Sequence, residues 1–145
     1  MATIQELVGR WRLVSSSGFD EFMKELGVGM ALRRMYDMAK PDCVIEFDGK
    51  TLTIKSESAL KTTQFSCELG EQFEEITMDG RKTQTVCLFT NGTLVQCQNW
   101  EGKESTITRK LEDGKLVVKC VMNDITCTRI YEKVEQNSFI SLDKN

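Results

Sequence analysis

From residue 79 onward the chain is punctuated every ten to twelve residues by a tight-turn pair: Asp79-Gly80, Asn91-Gly92, Glu101-Gly102, Asp113-Gly114 and Asn123-Asp124. Asp48-Gly49 is an earlier member of the same series. Asp-Gly and Asn-Gly tolerate the positive φ angles that two-residue hairpins require. Between the pairs, residues alternate apolar and polar, the mark of a strand with one buried face. In 116–122 the even positions are all apolar, and in 125–131 the odd positions hold Ile, Cys, Arg and Tyr. The pattern predicts strands near 6–14, 42–47, 51–57, 61–67, 72–77, 82–89, 93–99, 104–111, 115–122 and 125–134. Ten antiparallel strands would leave long exposed edges unless the sheet closes, so an all-β, up-and-down barrel, or clam, is expected. A barrel that wide is not filled by its own side chains, and an interior cavity follows.

One helical signal interrupts the meander, between the first and second strands. Ser15-Ser16-Ser17 can cap a helix, and Phe19, Phe22, Met23 and Leu26 recur at helical spacing. Gly27 and Gly29 break it; Val28, Leu32, Met35 and Met38 continue the apolar stripe until Lys40-Pro41 stops it. Two short helices joined by a turn would thus cap the open end of the barrel.

Composition narrows the function classes. The 145 residues, 40% of them hydrophobic, fit one domain, expected over 1–135 with 136–145 as a loose tail. A net charge of -3, from 19 Lys and Arg against 22 Asp and Glu, argues against nucleic acid as a partner. Histidine is absent, which excludes Ser-His-Asp and Cys-His catalysis and any His-containing zinc site. The N-terminus lacks a basic region followed by an apolar run, and no stretch approaches 18 apolar residues. A cytoplasmic protein with reduced thiols is expected.

The informative residues are two arginines on the wrong face. Arg129 shares parity with Ile125 and Tyr131, and Arg109 with Ile107 and Leu111, so both point into the barrel. Two buried guanidinium groups cost several kcal/mol unless each meets an anion or dense hydrogen bonding. An incoming carboxylate would satisfy both, with the Tyr131 hydroxyl as a further donor. A one-residue register slip at a bulge would instead put the arginines in water, but two separate strands show the same anomaly beside a tyrosine.

Gly9-Arg10-Trp11-Arg12-Leu13, followed after four residues by Gly18-Phe19-Asp20-Glu21-Phe22-Met23, resembles the N-terminal signature of the intracellular lipid-binding proteins. The likeness runs on through Lys24-Glu25-Leu26-Gly27-Val28-Gly29, Met38-Ala39-Lys40-Pro41-Asp42, Thr62-Thr63-Gln64-Phe65 and Asp79-Gly80-Arg81-Lys82. It continues in 100–110 and closes in Cys127-Thr128-Arg129-Ile130-Tyr131-Glu132-Lys133-Val134, so it covers about 1–135. Within that family the chain is most similar to the epidermal-type fatty acid-binding branch.

The resemblance implies a non-enzymatic, monomeric carrier without cofactor that holds a long-chain fatty acid inside a helix-capped barrel. Arg129 and Tyr131 match positions that touch the ligand carboxylate, and Arg109 one that reaches it, often through water. Phe19, Met23, Val28, Leu32, Pro41, Gln98, Ile107 and Val118 fall where the family lines its cavity. The portal would lie between the second helix and the turns around 56–61 and 75–79, with Met35, Tyr36, Ser56, Leu60, Met78 and Asp79 about its mouth. Tyr36 and Met78 depart from the family here, being bulkier than the small residues expected.

Lys24, Arg33 and Arg34 read either as the solvated face of an amphipathic cap or as a patch that steers the protein to anionic membranes. Relatives also use the matching positions as a structural nuclear-import signal. Cytoplasmic and nuclear residence, with delivery to membranes or nuclear receptors, is the implied role, and secretion without a signal peptide is compatible with it. A retinoid carrier of the same fold is the nearest alternative. Counting outward from the Asn123-Asp124 turn sets Cys120 opposite Cys127, and the resemblance implies that these two can form a disulfide. The reducing cytosol favours two buried thiols, and a thiol-redox protein using the pair would be a different class altogether. Cys43, Cys67 and Cys87 are expected to pack in strands, and Cys97 to be an exposed thiol.

Overall fold

The computed structural model describes residues 3–134. The loose tail expected over 136–145 lies outside the described residues. After a 3-10 turn (Ile4–Leu7) the chain forms β1 (Gly9–Ser17), α1 (Phe19–Glu25) and α2 (Met30–Ala39). It continues with β2 (Asp42–Phe47), β3 (Thr51–Glu57), β4 (Thr62–Glu68), β5 (Phe73–Ile76) and β6 (Lys82–Thr90). It ends with β7 (Thr93–Trp100), β8 (Lys103–Glu112), β9 (Lys115–Met122) and β10 (Ile125–Lys133).

The ten strands make one antiparallel sheet in the order β4-β3-β2-β1-β10-β9-β8-β7-β6-β5. β1 joins the two halves by pairing with β2 at Gly9–Trp11 and with β10 from Trp11 to Ser17. Its register shifts between Leu13 and Ser15, a bulge that bends the strand as it passes from one neighbour to the other. The hairpin turns follow the turn pairs: Asn91, Glu101 and Asp113 have φ near 50°, each followed by a glycine near 77°. Both central residues of a type I′ turn need that left-handed conformation.

The ten-stranded antiparallel barrel is the expected fold, nearly closed rather than paired all the way round, because β4 and β5 are both edges. Side chains span the gap instead, with the Phe65 and Phe73 rings stacked at 5.2 Å. The first strand begins at residue 9 rather than 6, since the preceding apolar residues Ile4 and Leu7 turn inward on the 3-10 turn. Ser15-Ser16-Ser17 stay in β1, and the helix cap is Gly18 at φ 75°. A side chain there would stand 2.5 Å from the Thr126 carbonyl oxygen, so only glycine fits.

The base of the barrel is sealed by a cluster around Trp11, Leu7, Ile45, Leu52, Leu94 and Leu116. The Trp11 indole donates to the Leu7 carbonyl at 2.9 Å, satisfying its one polar atom in the plug. At the other end Phe22 of α1 packs with Trp100, Met122 and Cys127, seating α1 on the far ends of β7, β9 and β10. Between the two clusters the inward residues are largely polar, and the site lies there.

Candidate ligand-binding site

Strict alternation along β8 and β10 sends Arg109 and Arg129 inward, as expected. Arg109 retains 9% of its surface and Arg129 5%. The registers bring them together: both stand opposite Val118 on the intervening β9. Their bonding is sparse. Arg129 donates to the Ser16 hydroxyl at 3.3 Å, and its guanidinium sits 3.9 Å from the centre of the Phe19 ring. Arg109 donates to Gln96 Oε1 at 2.8 Å, while its buried Nε has no partner among the described residues. Among the described residues no carboxylate pairs with either. Two desolvated cations with open donor capacity form a socket for an anion.

Tyr131 lies two residues beyond Arg129 on the same face of β10 and is buried. Burial pushes its phenol up to about 12, against the opposing pull of Arg129, so it is a protonated donor near neutral pH.

Sequence reading missed Glu75, a buried carboxylate on β5 that is 8% exposed. Its Oε1 accepts from Thr85 Oγ1 at 2.9 Å, Gln96 Nε2 at 2.9 Å and Gln98 Nε2 at 3.0 Å. Gln96 therefore links Glu75 to Arg109. Parity with Phe73 and Thr77 was the available signal, masked because Glu74 and Glu75 are adjacent and Ile76 points outward. An ion pair beside this network joins Arg81 Nε to Asp79 Oδ2 at 2.7 Å, with the guanidinium 4.4 Å from the Trp100 ring centre. Burial alone would raise the Asp79 carboxyl, but hydrogen bonds from Arg81 and Thr77 outweigh it and hold the group below its ordinary range.

Two adjoining lobes of interior space lie among the described residues. One of about 180 Å³ lies under the helices against Phe19, Met23, Val28, Tyr36 and Gln98. The other, of about 100 Å³, is lined by Ser56, Thr63, Phe65, Gln96 and Arg109, so it reaches one of the two arginines. Glu75, Thr77, Met78 and Ile107 border both, so the lobes adjoin. A larger concavity of about 960 Å³ is an outer groove beside the β7–β8 turn and borders neither arginine.

Of the cavity residues expected from sequence, Phe19, Met23, Val28, Gln98 and Ile107 line the lobes. Val118 is buried between the arginines instead, and half-buried Pro41 borders neither lobe. Leu32 is 45% exposed, a correction of helical phase: the inward residues of α2 are Arg33 and Tyr36. Of the portal set, Ser56, Met78, Asp79 and Tyr36 border the lobes, while Met35 and Leu60 are exposed outside.

The basic trio does not form one exposed cluster. Lys24 and Arg34 face solvent, but Arg33 is buried, bonded to Asp20 Oδ1 at 2.9 Å and to the Val28 carbonyl at 2.7 Å. Cys120 and Cys127 are opposed in register as expected, yet all six cysteines are free, so the disulfide is not formed. The Cys127 thiol is fully buried and pushed up by its hydrogen bond to Cys120 and by desolvation, while the same bond draws the half-buried Cys120 thiol down. Cys97 is half-buried rather than exposed.

Residues 8–134 match the Lipocalin / cytosolic fatty-acid binding protein family. The chain is 78% identical over 135 residues to fatty acid-binding protein 5 of Homo sapiens, covering 93% of this chain and 100% of that one. It is 77% identical, over the same shares, to fatty acid-binding protein 5 of Bos taurus. Among solved structures it superposes with a TM-score of 0.87 on the Schistosoma mansoni fatty acid binding protein in complex with arachidonic acid. That pair is 27% identical and spans 92% of this chain and 100% of the other.

Proposed function

Because this chain belongs to the lipocalin / cytosolic fatty-acid binding protein family, we propose that it is a non-enzymatic carrier holding a long-chain fatty acid with its carboxylate on Arg129, Arg109 and Tyr131. The observation that carries the head-group assignment is the pair of buried arginines flanking Val118, which among the described residues have no acid partner and leave one Nε without a partner. A carboxylate accepts several charge-assisted hydrogen bonds at once and relieves both desolvated cations. The alkyl chain then runs along Ile107, Val28, Met23 and Phe19. Each methylene taken from water adds about 0.8 kcal/mol, so the tail carries most of the affinity and the arginines set orientation.

The ligand passes through a portal between α2 and the β3–β4 and β5–β6 turns. Exposed Met35, Met38 and Leu60, with Lys24 and Arg34 nearby in sequence on the helices, support transient contact with an anionic membrane. Hand-over to a nuclear receptor is the further destination in this reading. A nuclear-import surface built on Lys24, Arg33 and Arg34 requires Arg33 to leave its bond with Asp20.

Titration of delipidated protein with oleate, in the wild type, Arg129→Ala and Arg109→Ala, tests the head-group site. One acid per chain with weaker but retained binding in both variants is expected; unchanged affinity in both would remove the assignment. Retinoic acid displacing oleate at equal concentration would favour the retinoid carrier instead.

A further inference from the structure

Two buried side chains one turn apart, Arg33 and Tyr36, face inward from α2. Arg33 anchors it to α1 and to the connecting turn through Asp20 and the Val28 carbonyl. Tyr36 crosses the mouth: its hydroxyl donates to the Met78 carbonyl at 3.2 Å, and its ring clusters with Met23, Val28 and Met78. Among the described residues this is the one hydrogen bond between α2 and the barrel. The same carbonyl accepts Lys61 Nζ from the β3–β4 turn at 2.8 Å. Three elements around the mouth thus converge on a single oxygen, directly beside the 180 Å³ lobe that Tyr36 and Met78 border.

The two sides of this contact differ in stiffness. Met78 rides on a turn fixed by Thr77 N–H to Arg81 O at 2.9 Å, Gly80 N–H to Thr77 O at 3.0 Å and the Asp79–Arg81 pair. α2 follows Gly27 and Gly29, around which there is open space, and it packs on α1 rather than on the strands. The helix is therefore the part free to move, turning about the Arg33 anchor.

We propose that Tyr36 and Met78 form a latch whose opening limits ligand exchange and whose bulk bars acids of wide cross-section. The inference rests on the carrier reading above and adds what decides which acids pass and how fast. The latch is made both before and after loading, so weakening it raises uptake and release together. Loss of an interaction present only in the loaded state would raise release alone. A single neutral hydrogen bond makes the expected acceleration about three- to ten-fold.

Stopped-flow uptake of cis-parinaric acid, and its release into excess oleate, tests this in the wild type, Tyr36→Phe, Lys61→Met and Tyr36→Ala/Met78→Ala. Tyr36→Phe should speed both rates by one common factor, and Lys61→Met should do so to a smaller degree. The double variant should be fastest and should admit phytanic acid, a tetramethyl-branched acid, with a larger gain than oleate. Wild-type rates in all variants, or faster release with unchanged uptake, would overturn the latch while leaving the carrier reading intact. Absence of any parinaric or oleate binding by the wild type would overturn both.

Discussion

Arg81 and Arg129 occupy the same barrel and share a setting, each guanidinium lying against an aromatic ring at 4.4 and 3.9 Å. They differ in one respect. Arg81 has its own carboxylate, Asp79, two residues away, whereas among the described residues Arg129 donates to the Ser16 hydroxyl and meets no carboxylate. The first arginine is neutralised by the fold and holds a turn; the second, in the proposed carrier, is left for an anion from outside. An interior cation becomes a binding group when the chain withholds its counter-ion.

The largest effect expected from this contrast is on stability. Arg81→Ala leaves the mostly buried Asp79 carboxylate unpaired and should cost about 3 kcal/mol in urea unfolding. Arg129→Ala removes a buried cation that has no counter-ion, so it should leave stability near the wild-type value or above it. The variants should exchange places in binding: Arg129→Ala should weaken oleate by about thirty-fold, the worth of a charge-assisted bond near 2 kcal/mol. Equal stability losses in the two variants would erase the distinction.

A smaller effect is expected at Tyr131. Its phenol titrates at about 12, so Tyr131→Phe removes a donor without altering charge below that pH. Oleate affinity should fall about five-fold by calorimetry, with stability little changed.

The smallest effect concerns acid. Asp79 titrates below its unfolded value of 3.8 when folded. Its contribution is therefore present in full above that value and disappears as pH falls through the lower folded one. Asp79→Asn should be less stable than the wild type at pH 7, and the stability gap should narrow as pH falls through the lowered folded value of Asp79. A gap that stays constant across this range would mean that the pair is not an ion pair in the folded protein.

How far the sequence disclosed all this depended on the element. Along β8 and β10 strict alternation places Arg109, Arg129 and Tyr131 correctly, because a period of two leaves no choice of face once one apolar neighbour is assigned. α2 is harder, since apolar residues stand on every side: Met30, Leu32, Met35 and Met38 are exposed while Arg33 and Tyr36 turn inward. Hydrophobicity alone chose the wrong phase there. Glu75 escaped notice for the opposite reason, as an acid is assigned to water by default, and only Thr85, Gln96 and Gln98 from neighbouring strands make its burial tolerable. The opening between β4 and β5 is a matter of how two edges diverge, and no local pattern encodes it. The cross-strand position of Cys120 and Cys127 follows from turn length, but their redox state does not.

In the proposed carrier the ligand carboxylate is ionised and held by Arg129. The most direct measurement is the carboxyl carbon resonance of bound [1-13C]oleate at pH 4. An adjacent guanidinium holds a carboxyl below its ordinary range. The wild type should therefore show an ionised carboxylate at pH 4, and Arg129→Ala a signal moved toward the neutral acid. A neutral acid in the wild type, or identical signals in the two proteins, would contradict the account.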